Sequence, residues 1–99
     1  MPAGPDEIIH QSLRLKIMAV LYAERNDEPV EFTHLRTLAK ATDGNLGSHL
    51  ATLEKAGYVR IEKDFAGKRP RTRIAATDAG ARAFRRHIGY LRDVLEGVD

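Results

Sequence analysis

The spacing of apolar residues along the chain predicts four helices. In four segments apolar residues recur every three or four positions, which places them on one face of a helix. In the last segment they advance alternately by four and three residues, a seam like that of a coiled coil. The predicted helices span residues 6–23, 33–40, 43–56 and 77–96.

Between the third and fourth helices, apolar and polar residues alternate strictly, as in a strand with one buried face. Val59 and Ile61 alternate with charged residues before a turn at residues 66–70, and the alternation resumes after that turn. This pattern predicts a β-hairpin over residues 58–76. A short apolar run at Val30 is long enough only for an edge strand.

Local signals mark the ends of the helices. Thr33 and Thr77 are residues of the kind that cap helix N-termini, and Thr42 or Asp43 has the same role for the third helix. Gly57 stands where a residue with left-handed backbone conformation would end the third helix.

These elements predict a single domain over residues 1–99, mainly α with an α+β character. Two short helices joined by a three-residue break, followed directly by a basic hairpin, are typical of the winged helix-turn-helix fold. The hairpin is then a two-stranded basic wing. The long C-terminal helix has more apolar surface than so small a core needs, which favours a role in dimerisation.

The positive charge of the chain is concentrated in the hairpin. The net charge is only +2, but residues 60–73 contain six basic and two acidic side chains, a local net charge of +4. A basic segment in a nearly neutral chain favours a polyanionic partner. Charge alone leaves open a solvated charged hairpin.

Several classes of protein are excluded or disfavoured by composition and motifs. The chain has no cysteine, which excludes disulfides, a thiol nucleophile and a cysteine zinc site. No phosphate-binding loop, nucleophile elbow or paired acidic motif is present, so we expect no enzyme, no catalytic residue and no cofactor. The four histidines show no i, i+4 spacing, and we expect no metal site, although ligands could converge across a dimer.

The apolar runs are too short for a membrane protein. The longest, Ile17 to Ala23, has seven residues, against roughly 20 for a membrane-spanning helix. The first ten residues show no features of a secretory signal. We therefore expect a cytoplasmic protein with no membrane partner.

Two stretches resemble a known family. GNLGSHLATLEKAGYV, residues Gly44–Val59, resembles the recognition helix of small winged-helix transcriptional regulators in the MarR and ArsR groups. KDFAGKRPRTRIAATDAG, residues Lys63–Gly80, resembles the wing and the next helix of short, MarR-like members. The resemblance runs from about Leu13 to Leu95. It implies a transcriptional regulator that binds double-stranded DNA as a homodimer, with two recognition helices in successive major grooves of a pseudo-palindromic site about 34 Å apart.

Side chains opposite the apolar stripe of the third helix, together with nearby cations, are candidates for DNA contact. Small polar side chains exchange hydrogen bonds with base edges or phosphates. Two glycines in this helix cost about 1 kcal/mol each relative to alanine, which favours close approach to a duplex over a merely solvated face. The expected DNA-binding residues are Asn45, Ser48, His49, Thr52, Arg36, Lys63, Lys68, Arg69, Arg71 and Arg73. Lys63 and Arg73 could instead form ion pairs with Glu62 or Asp64 across the hairpin, and for Arg73 this alternative is equal.

The first and last helices supply the expected dimer interface. Its candidate residues are Ile8, Leu15, Phe84, Ile88, Leu91 and Leu95. Two alternatives remain open at this point: a winged-helix module that binds another protein, and a regulator gated by an effector at the dimer interface, for which the sequence identifies no pocket.

Overall fold

The computed structural model describes residues 4–97 and contains four α-helices and three β-strands. Two short helices precede a long hairpin, and a long helix follows it, in the order expected. The elements are α1 (Ser12–Ala23), β1 (Val30–Glu31), α2 (Phe32–Ala39), α3 (Asp43–Lys55), β2 (Val59–Ala66), β3 (Arg69–Ala76) and α4 (Asp78–Leu95).

The hairpin belongs to a small antiparallel sheet with strand order β1-β3-β2. Val30 of β1 pairs with Ile74 of β3, so the short edge strand adds a third strand to the expected two. The turn is tighter than the expected 66–70, because only Gly67 and Lys68 separate the strands. Gly67 has φ +65°, the left-handed value that the first position of a type II′ turn requires.

The helices pack against one face of this sheet. Buried apolar side chains come from all four helices and all three strands, and they form one core. The fully buried large apolar residues are Ile9, Ile17, Met18, Leu21, Leu35, Leu46, Leu50, Leu53 and Ile74.

The first helix begins at Ser12 rather than at Asp6. The Asp6 carboxylate accepts hydrogen bonds from the backbone N–H groups of Ile8 and Ile9, each at 2.9 Å, and so closes a separate turn. Gln11 is then extended, with ψ 133°, and its side chain caps α1. Side-chain bonds to nearby backbone groups compete with helix formation, which explains why periodicity alone misplaced this boundary.

The second helix begins without the expected threonine cap. The structure places its N-cap at Glu31, which makes no side-chain capping bond, so the prediction for Thr33 was wrong. Phe32 follows β1 directly, and the strand pairing of Val30 and Glu31 sets where the chain enters the helix.

Helices α2 and α3 are each followed by a residue with left-handed backbone conformation. Gly57 has φ +82°, and the N–H of Tyr58 donates to the carbonyl oxygen of Leu53 at 2.9 Å, which confirms the expected glycine stop. Lys40 takes the equivalent place after α2, with φ +55°. The N–H of the following Ala41 donates back into that helix at 3.1 Å.

The start of α4 is fixed to the backbone where α3 ends. The Thr77 hydroxyl donates to the carbonyl oxygen of Gly57 at 2.6 Å and accepts from the N–H of Gly80 at 3.0 Å. The Thr77 N–H donates to the carbonyl oxygen of Tyr58 at 3.0 Å. Gly80 packs so closely that a Cβ there would overlap this oxygen and lie 2.8 Å from the carbonyl carbon.

A buried polar cluster joins the N-terminal turn to α4. His87 is 1% exposed, and its Nδ1 accepts a hydrogen bond from the Asp6 N–H at 3.1 Å. The Tyr58 hydroxyl donates to the Asp6 carboxylate at 2.8 Å. Burial, helped by the neighbouring His10, lowers the pKa of His87, so neutral imidazole is favoured here. Burial and the bond to Asp6 raise the pKa of Tyr58.

The close approach at Gly80 predicts a sharp difference between two glycines of α4. Gly80→Ala forces a methyl group into the Tyr58 backbone and lowers the free energy of unfolding by about 3 kcal/mol. Gly89→Ala meets no atom within 4 Å and raises the free energy of unfolding by up to about 1 kcal/mol. Urea denaturation of both variants measures the difference. Equal stability of the two variants would contradict this packing.

Candidate nucleic-acid interface

Helix α3 presents an apolar stripe to the core and a polar face to solvent. Leu46, Leu50 and Leu53 are buried, which confirms the expected stripe. Thr42 caps the helix by accepting from the Asn45 N–H at 3.1 Å. The cap fixes where the helical turns begin, and therefore which residues face outward.

The outward face of α3 differs partly from the sequence expectation. Asn45 and Ser48 are exposed, whereas His49 and Thr52 are half-buried. The structure also exposes Ala51 and Lys55, which are not among the expected DNA-binding residues. At 100° per residue Ala51 lies on the side opposite the stripe, whereas His49 lies beside the stripe. Placing residues at 100° intervals around the helix from the three leucines would have predicted both the exposure of Ala51 and the partial burial of His49.

The two glycines of α3 meet no steric demand from within the protein. Both Gly44 and Gly47 are exposed, and a Cβ at either position would meet no atom within 4 Å. Alanine would therefore fit the fold and would favour the helix. The fold itself gives no reason for glycine here, in contrast to Gly80.

An ion pair bridges the break between α2 and α3. The Arg36 guanidinium donates to the Asp43 carboxylate at 2.6 Å, with the two side chains 38% and 71% exposed. A pair so exposed contributes little to stability. It does hold Arg36, an expected phosphate contact, beside the N-terminus of α3.

The outer face of the hairpin, defined by Arg60, Glu62, Asp64, Arg71 and Arg73, holds a network of ion pairs. Arg71 makes two bonds to Asp64, both at 2.9 Å, and Arg73 makes a third at 3.0 Å. Arg73 also lies 3.7 Å from Glu62. The hydrogen bond from Arg71 lowers the pKa of Asp64, so the carboxylate stays ionised. The alternative that Arg73 pairs within the hairpin is confirmed.

The inner face of the hairpin is the side that meets α3. The odd-numbered residues of β2 lie on this face, because side chains alternate along a strand and Val59 is buried. Lys63 is therefore on the inner face, and its cross-strand partner is Thr72. A recess of ≈ 300 Å³ separates this face from α3, and it is lined by Phe32, Gly47, Leu50, Ile61, Lys63 and Thr72.

Three expected cations remain outside the ion-pair network. Lys63, Lys68 and Arg69 are exposed, and none of them belongs to an ion pair within the described residues 4–97. Lys68 lies in the two-residue turn and Arg69 follows it, so both project from the tip of the hairpin. The tip therefore presents positive charge that no carboxylate of the described chain compensates.

The expected dimer residues divide into buried and exposed ones. Phe84 is only 8% exposed and packs on the Tyr22 ring at a centroid distance of 4.9 Å. Leu95 is 86% exposed. The other expected residues, Ile8, Leu15, Ile88 and Leu91, are half-buried.

Residues 4–97 contain neither a membrane-spanning helix nor a cluster of metal ligands. No helix in that range is both long and apolar enough to cross a membrane. No group of three or more histidine, aspartate or glutamate side chains among the same residues is arranged to hold a metal ion.

Comparison with known proteins gives consistent matches. The family model for the winged helix DNA-binding domain matches residues 13–95. The uncharacterized protein MJ0432 of Methanocaldococcus jannaschii is 38% identical over 93 residues, covering 94% of this chain and 98% of that protein. A transcriptional regulator homologue from Pyrococcus horikoshii OT3 has 34% identity and a TM-score of 0.84, covering 95% and 90% of the respective chains.

A more distant solved structure shares the fold. It is a transcriptional regulator of the MarR family from Silicibacter pomeroyi, with 22% identity and a TM-score of 0.71. The match covers 91% of this chain and 57% of that one. At this identity the likeness shows the fold alone.

The open space around the α3 glycines leads to a prediction in which stability and affinity change in opposite directions. Gly44→Ala and Gly47→Ala each raise the free energy of unfolding by up to about 1 kcal/mol. If this face approaches a duplex, the added methyl groups weaken DNA binding by about tenfold, the size of one disturbed base contact. Thermal melting and fluorescence anisotropy with duplex DNA measure the two effects. Unchanged affinity in both variants would show that no duplex comes close to these glycines.

Proposed function

The chain belongs to the winged helix DNA-binding domain family, and on that premise we propose that it regulates transcription as a homodimer bound to a pseudo-palindromic duplex site. Its fold is that of MarR-like transcriptional regulators and not of an enzyme, which confirms the resemblance drawn from residues 44–59 and 63–80. The dimer, the site and the contacting residues are our proposal.

One observation supports the proposal most strongly. Gly47 of α3 and Lys63, an uncompensated cation of the hairpin, line the same open recess. A helix in the major groove needs small and polar side chains, whereas the flanking phosphates need cations. A surface that docks another protein would be poorer in lysine and richer in large apolar residues.

We assign base contacts to the exposed face of α3. Asn45 and Ser48 offer hydrogen-bonding groups, and the Ala51 methyl group suits a thymine methyl. His49 and Thr52, which are half-buried, reach only the edge of such a groove. Lys55, at the far end of the helix, is suited to a phosphate.

The wing contributes phosphate contacts mainly through its tip and inner face. Lys63, Lys68 and Arg69 are exposed and outside the ion-pair network, so they lose no existing pair when they meet a phosphate. A phosphate would have to compete with the Asp64 carboxylate for Arg71 and Arg73, which weakens the attraction of these arginines to DNA. Arg36, which pairs with Asp43, is in a similar position but is more exposed.

The C-terminal half of α4 supports the proposed dimer. The buried residues of this helix end at His87, and the residues beyond it are half-buried or exposed within the described chain. Val94 and Leu95 are 50% and 86% exposed, more apolar surface than a solvated helix end needs. A second copy of the chain can cover this seam together with Ile8 and Leu15. Two wings and two α3 helices would then face the same side of a duplex.

The decisive experiment is a salt titration of DNA binding with wing variants. Lys68→Ala and Arg69→Ala each remove one phosphate contact and reduce the slope of log affinity against log salt by about 0.9. Arg60→Ala, on the outer face, is the matched control with the same change of charge, and its slope stays near that of wild type. Fluorescence anisotropy with a mixed-sequence duplex measures the slopes. If wild type does not bind duplex DNA even at low salt, this proposal is replaced by the protein-binding alternative or by a regulator that needs an effector before it binds DNA.

The dimer has a separate test at Leu91. Leu91→Glu places a charge in the apolar seam, and we expect monomers by light scattering, with weaker DNA binding because only one half-site is held. Arg86→Glu, an exposed position on the same helix, is the control and remains dimeric. A fully dimeric Leu91→Glu protein would remove the α4 seam from the interface.

A further inference from the structure

The wing has an exposed aromatic side chain that the proposed contacts do not use. Phe65 is 66% exposed, although Phe is normally a core residue. It pairs directly across the hairpin with Pro70, one position before the final pair that precedes the turn. We refer to Phe65 and Pro70 as the apolar pair.

The apolar pair lies on the inner face of the hairpin. Alternation along β2 places Phe65 on the same side as the buried Val59 and the half-buried Ile61. The pair therefore lies on the same face as Val59 and Ile61, but it is separated from them by Lys63 and its cross-strand partner Thr72. Nothing in the fold requires a large apolar side chain there, because Phe65 is not part of the core.

The surroundings of the apolar pair indicate what covers it. Lys63 precedes Phe65 on the same face, and Lys68 and Arg69 follow at the turn, all exposed. Lysine is depleted at the centres of protein interfaces, so this ring of cations disfavours a protein partner. An apolar tip surrounded by cations matches a surface whose walls are apolar sugars and whose rims are phosphates. The DNA minor groove has this composition.

We propose that the apolar pair enters the minor groove as a wedge when the protein binds duplex DNA. Phe65 packs on the deoxyribose walls and against one base step, while Lys68 and Arg69 hold the flanking phosphates. Apolar side chains inserted in this way partly unstack a base step and bend the duplex. The proposal rests on the proposed function, because the wedge acts only once α3 has docked in the adjacent major groove.

The absence of tryptophan from the chain allows a direct test by fluorescence. Phe65→Trp introduces a single indole reporter and keeps an aromatic wedge. Ala66→Trp, one residue further on the opposite face of the same hairpin, is the matched control. Acrylamide quenching of each variant is measured with and without a mixed-sequence A·T-rich duplex.

The two variants should respond differently to the duplex. We expect the duplex to protect the indole of the Phe65→Trp variant strongly and that of the Ala66→Trp variant less, because Ala66 shares the opposite face of the hairpin with its cross-strand partner Arg69. Netropsin, which fills the minor groove, should restore the quenching of the Phe65→Trp variant.

Phe65→Ala tests the contribution to affinity. We expect its affinity to fall by about tenfold, as for loss of one aromatic–base contact, and the bend of the duplex measured by end-to-end energy transfer to decrease. The salt slope should stay that of wild type, because no charge is removed. The melting temperature should also be unchanged, because the side chain is largely exposed.

The outcomes separate this proposal from the one on which it rests. If wild type binds DNA with a steep salt slope but both indole reporters are quenched equally, the wedge is overturned and the proposed function stands. Unchanged affinity and bending in Phe65→Ala also overturn the wedge. If wild type binds no duplex at all, both proposals fall. Protection of the Phe65→Trp indole that netropsin does not reverse places Phe65 outside the minor groove and overturns the assignment.

Discussion

The contact between the first turn of α4 and the backbone at Gly57–Tyr58 is the constraint on which the rest of the structure depends. At this point α3 ends, β2 begins and α4 starts, and the Thr77 side chain and backbone join all three. Because Gly80 has no Cβ, α4 packs against the Tyr58 carbonyl group at a distance that any other residue would prevent. Because the wing leaves from this junction, the same contact sets the wing beside α3. It also fixes where α4 begins, and with it the position of the half-buried and exposed C-terminal half that we propose meets a second copy of the chain.

The hairpin shows how strand alternation sorts charge into two roles. A net charge of +4 along residues 60–73 indicates a polyanion partner, but it does not say which cations are available. The register opposes Asp64 to Arg71 and Glu62 to Arg73, so these arginines stabilise the wing itself. The cations of the turn and of the inner face have no carboxylate opposite them across the hairpin. The structure thus separates charges that rigidify the wing from charges available to a ligand.

The glycines also fall into two groups, those that the fold requires and those that it does not. Gly57 and Gly67 have positive φ and meet local backbone requirements, while Gly80 meets a packing requirement. Gly44 and Gly47 meet neither, and both lie on the outward face of α3. A protein that keeps helix-weakening residues where its own fold has room for a side chain gives up some stability at that surface. Close approach by a ligand is the physical reason we infer.

Local signals in the sequence were sufficient for most elements. The period of the apolar residues predicted three of the four helices and both long strands nearly to their observed bounds, and the Thr42 cap and the Gly57 stop were correct. These features depend only on neighbouring residues. Tertiary structure decided what depends on distant ones. Asp6 forms a separate turn beside Tyr58 and His87, far along the chain, and α1 begins later as a result. Register and packing likewise decided which cations are paired and which side of α3 faces solvent, because those depend on where strands and helices meet.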